Sequence, residues 1–255
     1  MTEVRVRGAH ATVRADGLGD EVAVEEPLEI RVDGVPLAVT MRTPGHDEEL
    51  ALGFLYGEGL IDAARPVGLT DDFAANAVEV GGPLLRDPGR RRFYTTSSCG
   101  VCGKGALEEV AAVAGPPLGA GPRVARELLA ELPDRLVQPG FERTGGLHAT
   151  GIFEAGGELL FSREDVGRHN AMDKAIGRAL LDGMLPLGER LLCVSGRLSF
   201  ELVQKAAVAG APVLVGVGAP SSLAVELAAD RGITLAGFAR RGRVNVYTGA
   251  DRVRG

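Results

Sequence analysis

Two thiols, Cys99 and Cys102, stand two residues apart in the run Thr95-Thr-Ser-Ser-Cys-Gly-Val-Cys-Gly-Lys-Gly105. Gly100, Gly103 and Gly105 give this segment a backbone freedom that a packed core cysteine would not need. A helix beginning near Lys104 would bring its positive end and an ammonium close to Cys102. Both favour the thiolate, the form that attacks sulfur.

Several chemistries use such a pair. A structural zinc site needs about four ligands. No second Cys-x-x-Cys exists, Cys193 lies in an apolar run as core filling, and His10, His46, His148 and His169 are scattered. No permanent metal is expected. A deaminase-type zinc wants His-x-Glu and then Pro-Cys-x-x-Cys, whereas Ser98 precedes Cys99 and His148-Ala-Thr lacks the glutamate. A thioredoxin-type pair stays open, although no aromatic precedes the cysteines and no proline separates them. A sulfur carrier fits best: one thiolate takes a sulfane sulfur as a persulfide, and its neighbour later attacks it and leaves a disulfide.

A second group of residues could hold an anion. Ser195-Gly-Arg-Leu-Ser199, Gly218-Ala-Pro-Ser-Ser222 and Arg240-Arg-Gly-Arg243 each follow an apolar run that reads as a strand. Ligands of parallel sheets gather beyond the carboxyl ends of strands, at helix amino ends. Small residues permit close approach, and Arg197, Arg240, Arg241 and Arg243 could fork onto phosphates. Taken singly, Ser221 and Ser222 read as helix caps. Arg168, His169 and Asn170, early in an amphipathic helix, and His148, after Thr144-Gly-Gly, are further candidates. The run Arg90–Arg92 reads as solvated surface. Neither a P-loop nor G-x-G-x-x-G is present, so the pattern predicts a phosphate-bearing ligand without specifying ATP or NAD.

The elements that must position these groups divide the chain into 1–97, a small α+β unit; 98–140, the thiol segment, a helix and a Gly/Pro-rich linker; and 141–255, an α/β domain. In the first, residues 28–32 and 35–41 alternate around Asp33-Gly34, a strong hairpin signal. A helix follows over 46–56, with Leu50, Phe54 and Leu55 inward, and short strands fall at 78–80 and 92–96. The linker, opening with Gly115-Pro-Pro, runs to about Gly140. In the last part, 152–153 and 159–161 form a hairpin, and a helix spans 165–181. Strands at 191–195, 213–217 and 233–239 alternate with helices at 199–209 and 221–230, and 244–247 adds an edge strand. Near-continuous apolar strands between helices predict a mostly parallel, doubly covered sheet in an α/β fold.

At 255 residues the chain can bury a large core without disulfide staples. A net charge of −6 and only 11 aromatic residues (3 Tyr, 8 Phe) argue against a nucleic-acid partner. Lysine occurs three times, at 104, 174 and 205, against 25 arginines, so an arginine cluster needs support from its setting. No apolar run approaches the ~18 residues of a membrane span, the first residues do not read as a secretory signal, and three cysteines do not form a secreted framework. A cytoplasmic protein with reduced thiols is expected.

Six stretches, in order, resemble the formate dehydrogenase accessory sulfurtransferases, the FdhD/NarQ family. They are Arg42-Thr-Pro-Gly-His-Asp-Glu-Glu-Leu-Ala-Leu-Gly-Phe-Leu55, Thr96-Ser-Ser-Cys-Gly-Val-Cys-Gly103, Thr144-Gly-Gly-Leu-His-Ala149, Glu164-Asp-Val-Gly-Arg-His-Asn-Ala-Met-Asp-Lys174, Ser195-Gly-Arg-Leu-Ser199 and Gly237-Phe-Ala-Arg-Arg-Gly-Arg243. The resemblance implies a sulfurtransferase that takes sulfur from a cysteine desulfurase. It would pass that sulfur to molybdenum (or tungsten) bis(molybdopterin guanine dinucleotide) before insertion into formate dehydrogenase. It matches Cys99 to the persulfide-bearing cysteine, Cys102 to its partner, and Phe238, Ala239, Arg240, Arg241, Gly242 and Arg243 to the segment that binds the cofactor through its guanine nucleotides. It also implies a cytidine-deaminase-like three-layer fold and a homodimer. Ser195, Arg197, Ser199, His148, Arg168 and His169 complete the candidate binding set. A thiol–disulfide oxidoreductase and a cofactor chaperone without sulfur chemistry are the rival readings.

Overall fold

The structure, a computed structural model, describes residues 5–7, 9–15, 18–69, 76–87, 93–95, 113 and 115–255. Cys99, Cys102, the helix expected near Lys104 and the run Arg90–Arg92 lie outside the described residues.

Strands β1 (Arg5–Arg7), β2 (His10–Ala15) and β3 (Leu18–Ala23) make an antiparallel meander absent from the sequence reading. The Asp33-Gly34 signal is realised: both residues take positive φ, 48° and 77°, and join β4 (Glu26–Val32) to β5 (Val35–Arg42) in a tight hairpin. Helix α1 (Asp47–Gly57) carries Asp47, Glu48 and Glu49 in its first turn, where the backbone dipole favours negative charge. Strands β6 (Val67–Leu69), β7 (Ala77–Val80) and β8 (Phe93–Thr95) complete a five-stranded sheet ordered β6-β7-β4-β5-β8.

The stretch expected as a linker is built into the core. It holds β9 (Val124–Ala125), α2 (Arg126–Glu131), a 3-10 turn over Leu132–Arg135 and the start of α3 (Pro139–Thr144). Leu129 and Leu132 are wholly buried there. A helix of six residues is too short for its periodicity to show beside so much Gly and Pro.

Next come β10 (His148–Glu154), β11 (Leu159–Asp165) and α4 (Arg168–Leu181). Then β12 (Arg190–Val194) leads to α5 (Phe200–Val208), and β13 (Val213–Gly216) to α6 (Ser222–Asp230). Strands β14 (Thr234–Arg240), β15 (Arg243–Val246) and β16 (Val253–Arg254) end the chain.

The α/β architecture is as expected, with the main sheet ordered β11-β10-β12-β13-β14-β15. Its parallel part is narrower than predicted. Only β12, β13 and β14 run parallel, and both flanks are antiparallel. The cause is loop length: the few residues linking β10 to β11 and β14 to β15 can only reverse the chain. One face is covered by α4, α5 and α6, the other by α2 and its 3-10 turn.

Helix α1 is buried on nearly every side, since it lies between the five-stranded sheet and α4. Two glycines set that crossing. A Cβ on Gly53 would fall 1.8 Å from the Asp173 carbonyl oxygen, and one on Gly177 would fall 1.8 Å from that of Glu49. The helix backbones therefore touch, and no side chain fits between them.

Candidate functional site

The parallel register brings the carboxyl ends of β12, β13 and β14 to one edge, and backbone hydrogen bonds knit the loops that follow. The Gly218 amide donates to the Gly196 carbonyl (3.0 Å), the Phe238 amide to the Gly218 carbonyl (3.1 Å), and the Leu198 amide to the Ala219 carbonyl (3.0 Å). The Ser195 hydroxyl accepts from the Ala149 amide at 2.9 Å, tying in β10. The result is a cavity of about 280 Å³ lined by His148, Arg168, Ser195, Gly196, Arg197, Val217, Gly218, Phe238 and Arg240. The backbones are close here: a Cβ on Gly218 would lie 3.0 Å from the Arg197 Cα, a tight contact.

Three arginines, Arg168, Arg197 and Arg240, line this cavity. No carboxylate among the described residues pairs with them at ion-pair distance, and the Arg168 Nε is buried without a hydrogen-bond partner. His148 lies among these cations. Burial, and then the charges of Arg168, His169 and Arg197, hold its imidazole below the ordinary value, so the ring is neutral at pH 7. A concave site with several cations, an unsatisfied donor and a neutral imidazole suits an anion rich in acceptor oxygens. The volume suits part of a nucleotide, such as a diphosphate with some of its nucleoside.

Of the residues predicted from sequence, His148, Arg168, Ser195, Arg197, Phe238 and Arg240 meet at this cavity. Others do not line it. His169 Nε2 sits 3.1 Å from the Ser199 hydroxyl and 2.8 Å from a Glu201 carboxylate oxygen, so those two candidates satisfy each other beside the site. Ala239 is wholly buried in the core. Arg241 and Gly242, with φ of 51° and 71°, form the two-residue turn between β14 and β15, and Arg243 is exposed on β15. Ser221 caps α6 by accepting from the Ala224 amide at 3.3 Å, the role expected of it. Gly196 and Gly218, the small residues of two of the loops expected to hold an anion, line the cavity, and so does Val217, which was not singled out.

Phe238 is unusual in its backbone as well. Its φ is 54°, it interrupts the β14–β15 register, and the residue is 38 % exposed. A bulky residue held left-handed is strained, and such strain clusters at ligand sites.

The thiol pair lies outside the described residues, but its point of departure does not. Strand β8 ends at Thr95, which pairs with Thr40 of β5. The Thr40 hydroxyl donates to Asn170 at 3.2 Å, two residues from Arg168. Cys99 is four residues beyond Thr95, a span of roughly 14 Å at full extension.

Comparison with known proteins gives a consistent picture. The model of the FdhD/NarQ family matches residues 23–254. The sulfur carrier protein FdhD of Streptomyces coelicolor is 52 % identical over 267 aligned positions, covering 98 % of this chain and 93 % of that protein. The sulfur carrier protein FdhD of Mycobacterium tuberculosis is 50 % identical, with 92 % of each chain covered. A crystal structure from Desulfotalea psychrophila, described as a formate dehydrogenase accessory protein, superposes with a TM-score of 0.74 at 25 % identity, over 100 % of this chain and 98 % of that one.

Proposed function

This chain belongs to the FdhD/NarQ family, and from that premise we propose that it is a sulfur carrier for the maturation of formate dehydrogenase. The Cys99 thiolate attacks the terminal sulfur of a cysteine desulfurase persulfide. An S–S bond forms on Cys99 as the donor cysteine leaves as thiolate. The acceptor is molybdenum (or tungsten) bis(molybdopterin guanine dinucleotide), a substrate held by its guanine nucleotide portion at the strand-end cavity. The Cys102 thiolate then attacks the Cys99 sulfur. Sulfur departs at the sulfide level, and a Cys99–Cys102 disulfide remains for a dithiol reductant to reopen. The chain acts as a sulfurtransferase in the sense that it is reloaded each cycle. It works in the cytoplasm, as a homodimer.

The observation that carries this reading is the cavity with three arginines and no carboxylate partner among the described residues. Guanidinium groups fork onto pyrophosphate oxygens, and small residues at strand ends let phosphate approach backbone amides. The neutral His148 is placed to hydrogen-bond the ligand without adding charge.

The test is intact-protein mass spectrometry after incubation with a cysteine desulfurase and cysteine. One added sulfur on the wild type, lost in Cys99→Ala and kept in Cys102→Ala, is expected. No adduct on the wild type overturns the carrier role.

A further inference from the structure

Asp165 ends β11 with no exposure to solvent, and both its oxygens are saturated by donors. Oδ2 takes Lys174 Nζ at 2.7 Å and the Thr43 amide at 3.1 Å; Oδ1 takes the Gly167 amide at 2.9 Å and Asn170 Nδ2 at 3.0 Å. Lys174, itself 1 % exposed, spends its remaining donors on the Thr43 carbonyl (2.8 Å) and the Glu164 carbonyl (3.4 Å). The Thr43 hydroxyl accepts from the Val166 amide at 3.2 Å, and Asn170 also donates to the Met41 carbonyl at 2.7 Å. Every backbone group named here belongs either to the end of β5 and the residue after it or to the turn 164–167.

That turn leads directly into the cavity. Asp165 pairs with His148 across β10 and β11, and Gly167 caps α4, whose first residue is Arg168. The Arg168 Nε has no partner of its own to aim it. The direction of that guanidinium therefore depends on where the backbone of the turn is held.

We propose that Asp165, clamped by Lys174, Asn170 and Thr43, is the positioning residue that aims Arg168 into the anion cavity. The clamp also makes that aim depend on the end of β5, the strand beside which β8 runs toward the thiol segment. The proposal rests on the reading of the cavity as a nucleotide site.

The experiment is a double-mutant cycle read by calorimetric binding of guanosine diphosphate to the full chain. Arg168→Ala weakens binding on the order of tenfold, as loss of a charge-assisted hydrogen bond does. Asp165→Asn weakens it similarly, and the double variant binds no worse than Arg168→Ala alone. Asp165→Asn combined with Arg240→Ala multiplies the two losses instead. A soluble, folded Asp165→Asn protein with wild-type affinity overturns the proposal, and so does multiplication with Arg168→Ala. Should Asp165→Asn fail to fold, Asn170→Ala, which removes one donor and leaves the ion pair, enters the same cycle.

Absence of guanosine diphosphate binding by the wild type would sink the nucleotide reading but not the positioning role. Arg168 is one of the charges holding His148 down, with His169 and Arg197, while Asp165 raises it; with Asp165 left in place, the position of Arg168 can be read without ligand by NMR titration of His148. In Asn170→Ala, which changes no charge, the His148 value rises toward the ordinary one if Arg168 has swung away. An unmoved value overturns the positioning role.

Discussion

Two regions of this molecule collect charge in opposite ways. Where α1 meets α4, every buried charge has a partner. Asp173 and Lys205 meet at 2.7 Å, Lys174 and Asp165 at 2.7 Å, and Arg163 grips Glu49 through two nitrogens, one at 2.7 Å. Burial alone would raise the Glu49 carboxyl, yet Arg163 and His46 bring it down to about 2. At the strand-end cavity, three arginines gather around a neutral histidine with no carboxylate partner among the described residues. Buried charge is tolerated when paired and hydrogen-bonded, and is costly otherwise. The first region thus uses ions to fix architecture. In the second, Arg197 and Arg240 are exposed to solvent and Arg168 is half-buried, and their charge is left for an anion.

The largest effects should come from unpairing the helical region. In Asp173→Ala the Lys205 ammonium loses its 2.7 Å partner and is left with Glu58 at 3.9 Å, and stability falls by about 3–5 kcal/mol. Lys205→Met is milder, because burial already lifts the Asp173 carboxyl above its ordinary value in spite of Lys205, and the acid can be buried protonated. Urea denaturation at pH 7 compares the two; equal losses would mean that Asp173 does not neutralise itself. Next in size, Gly177→Ala drives a methyl into the Glu49 carbonyl and costs about 3 kcal/mol. Gly188→Ala, at a position open to solvent space, changes stability by less than ~0.5 kcal/mol. If the two alanines behave alike, the helices are not in backbone contact.

How far each region can be read from sequence follows from the range of its signals. The hairpin at Asp33-Gly34 and the strand–helix alternation after residue 190 are local patterns, and the structure carries them. Three arginine- or serine-bearing loops at strand ends could be placed together because parallel strands force their carboxyl ends to one edge. The helix crossing could not. Gly53 and Gly177 read singly as helix weakeners, and only the contact between segments more than 120 positions apart explains them. Asn170, read with Arg168 and His169 as a candidate cluster, belongs instead to the buried network of Asp165 and Lys174, because a buried ion network and a binding cluster have the same composition. One clue was available: lysine is scarce in this chain, and Lys174 and Lys205 are both buried. A flexible single ammonium fits such slots where a planar guanidinium would not.

Smaller in size, and opposite in kind, are the effects of thinning charge at the cavity. Arg197→Ala and Arg240→Ala should each weaken guanosine diphosphate binding about tenfold. Both side chains are exposed and have no ion-pair partner among the described residues, so neither change lowers denaturation stability by more than ~0.5 kcal/mol. Stability and affinity therefore separate here, whereas at the α1–α4 contact they fall together. A loss of stability in step with affinity would erase the distinction between the two regions.

The subtlest effect concerns His148. In the free protein its value lies below the ordinary 6.5, through burial and the neighbouring charges of Arg168 and Arg197, which outweigh Asp165. A bound anion offsets those cations and raises it, so the complex takes up a proton at higher pH than the free chain does. By linkage, affinity then increases as pH falls from the bound value to the free one and is level above the bound value. Each pKa unit separating the two states corresponds to about a tenfold gain. The ligand's own phosphate titrates in the same range, but its contribution cancels in the ratio of wild-type affinity to that of His148→Gln. That ratio should climb toward acid, measured by calorimetry from about pH 8 to about pH 5. A level ratio would place His148 outside the field of the bound phosphates and leave the three arginines as the whole of the site's charge.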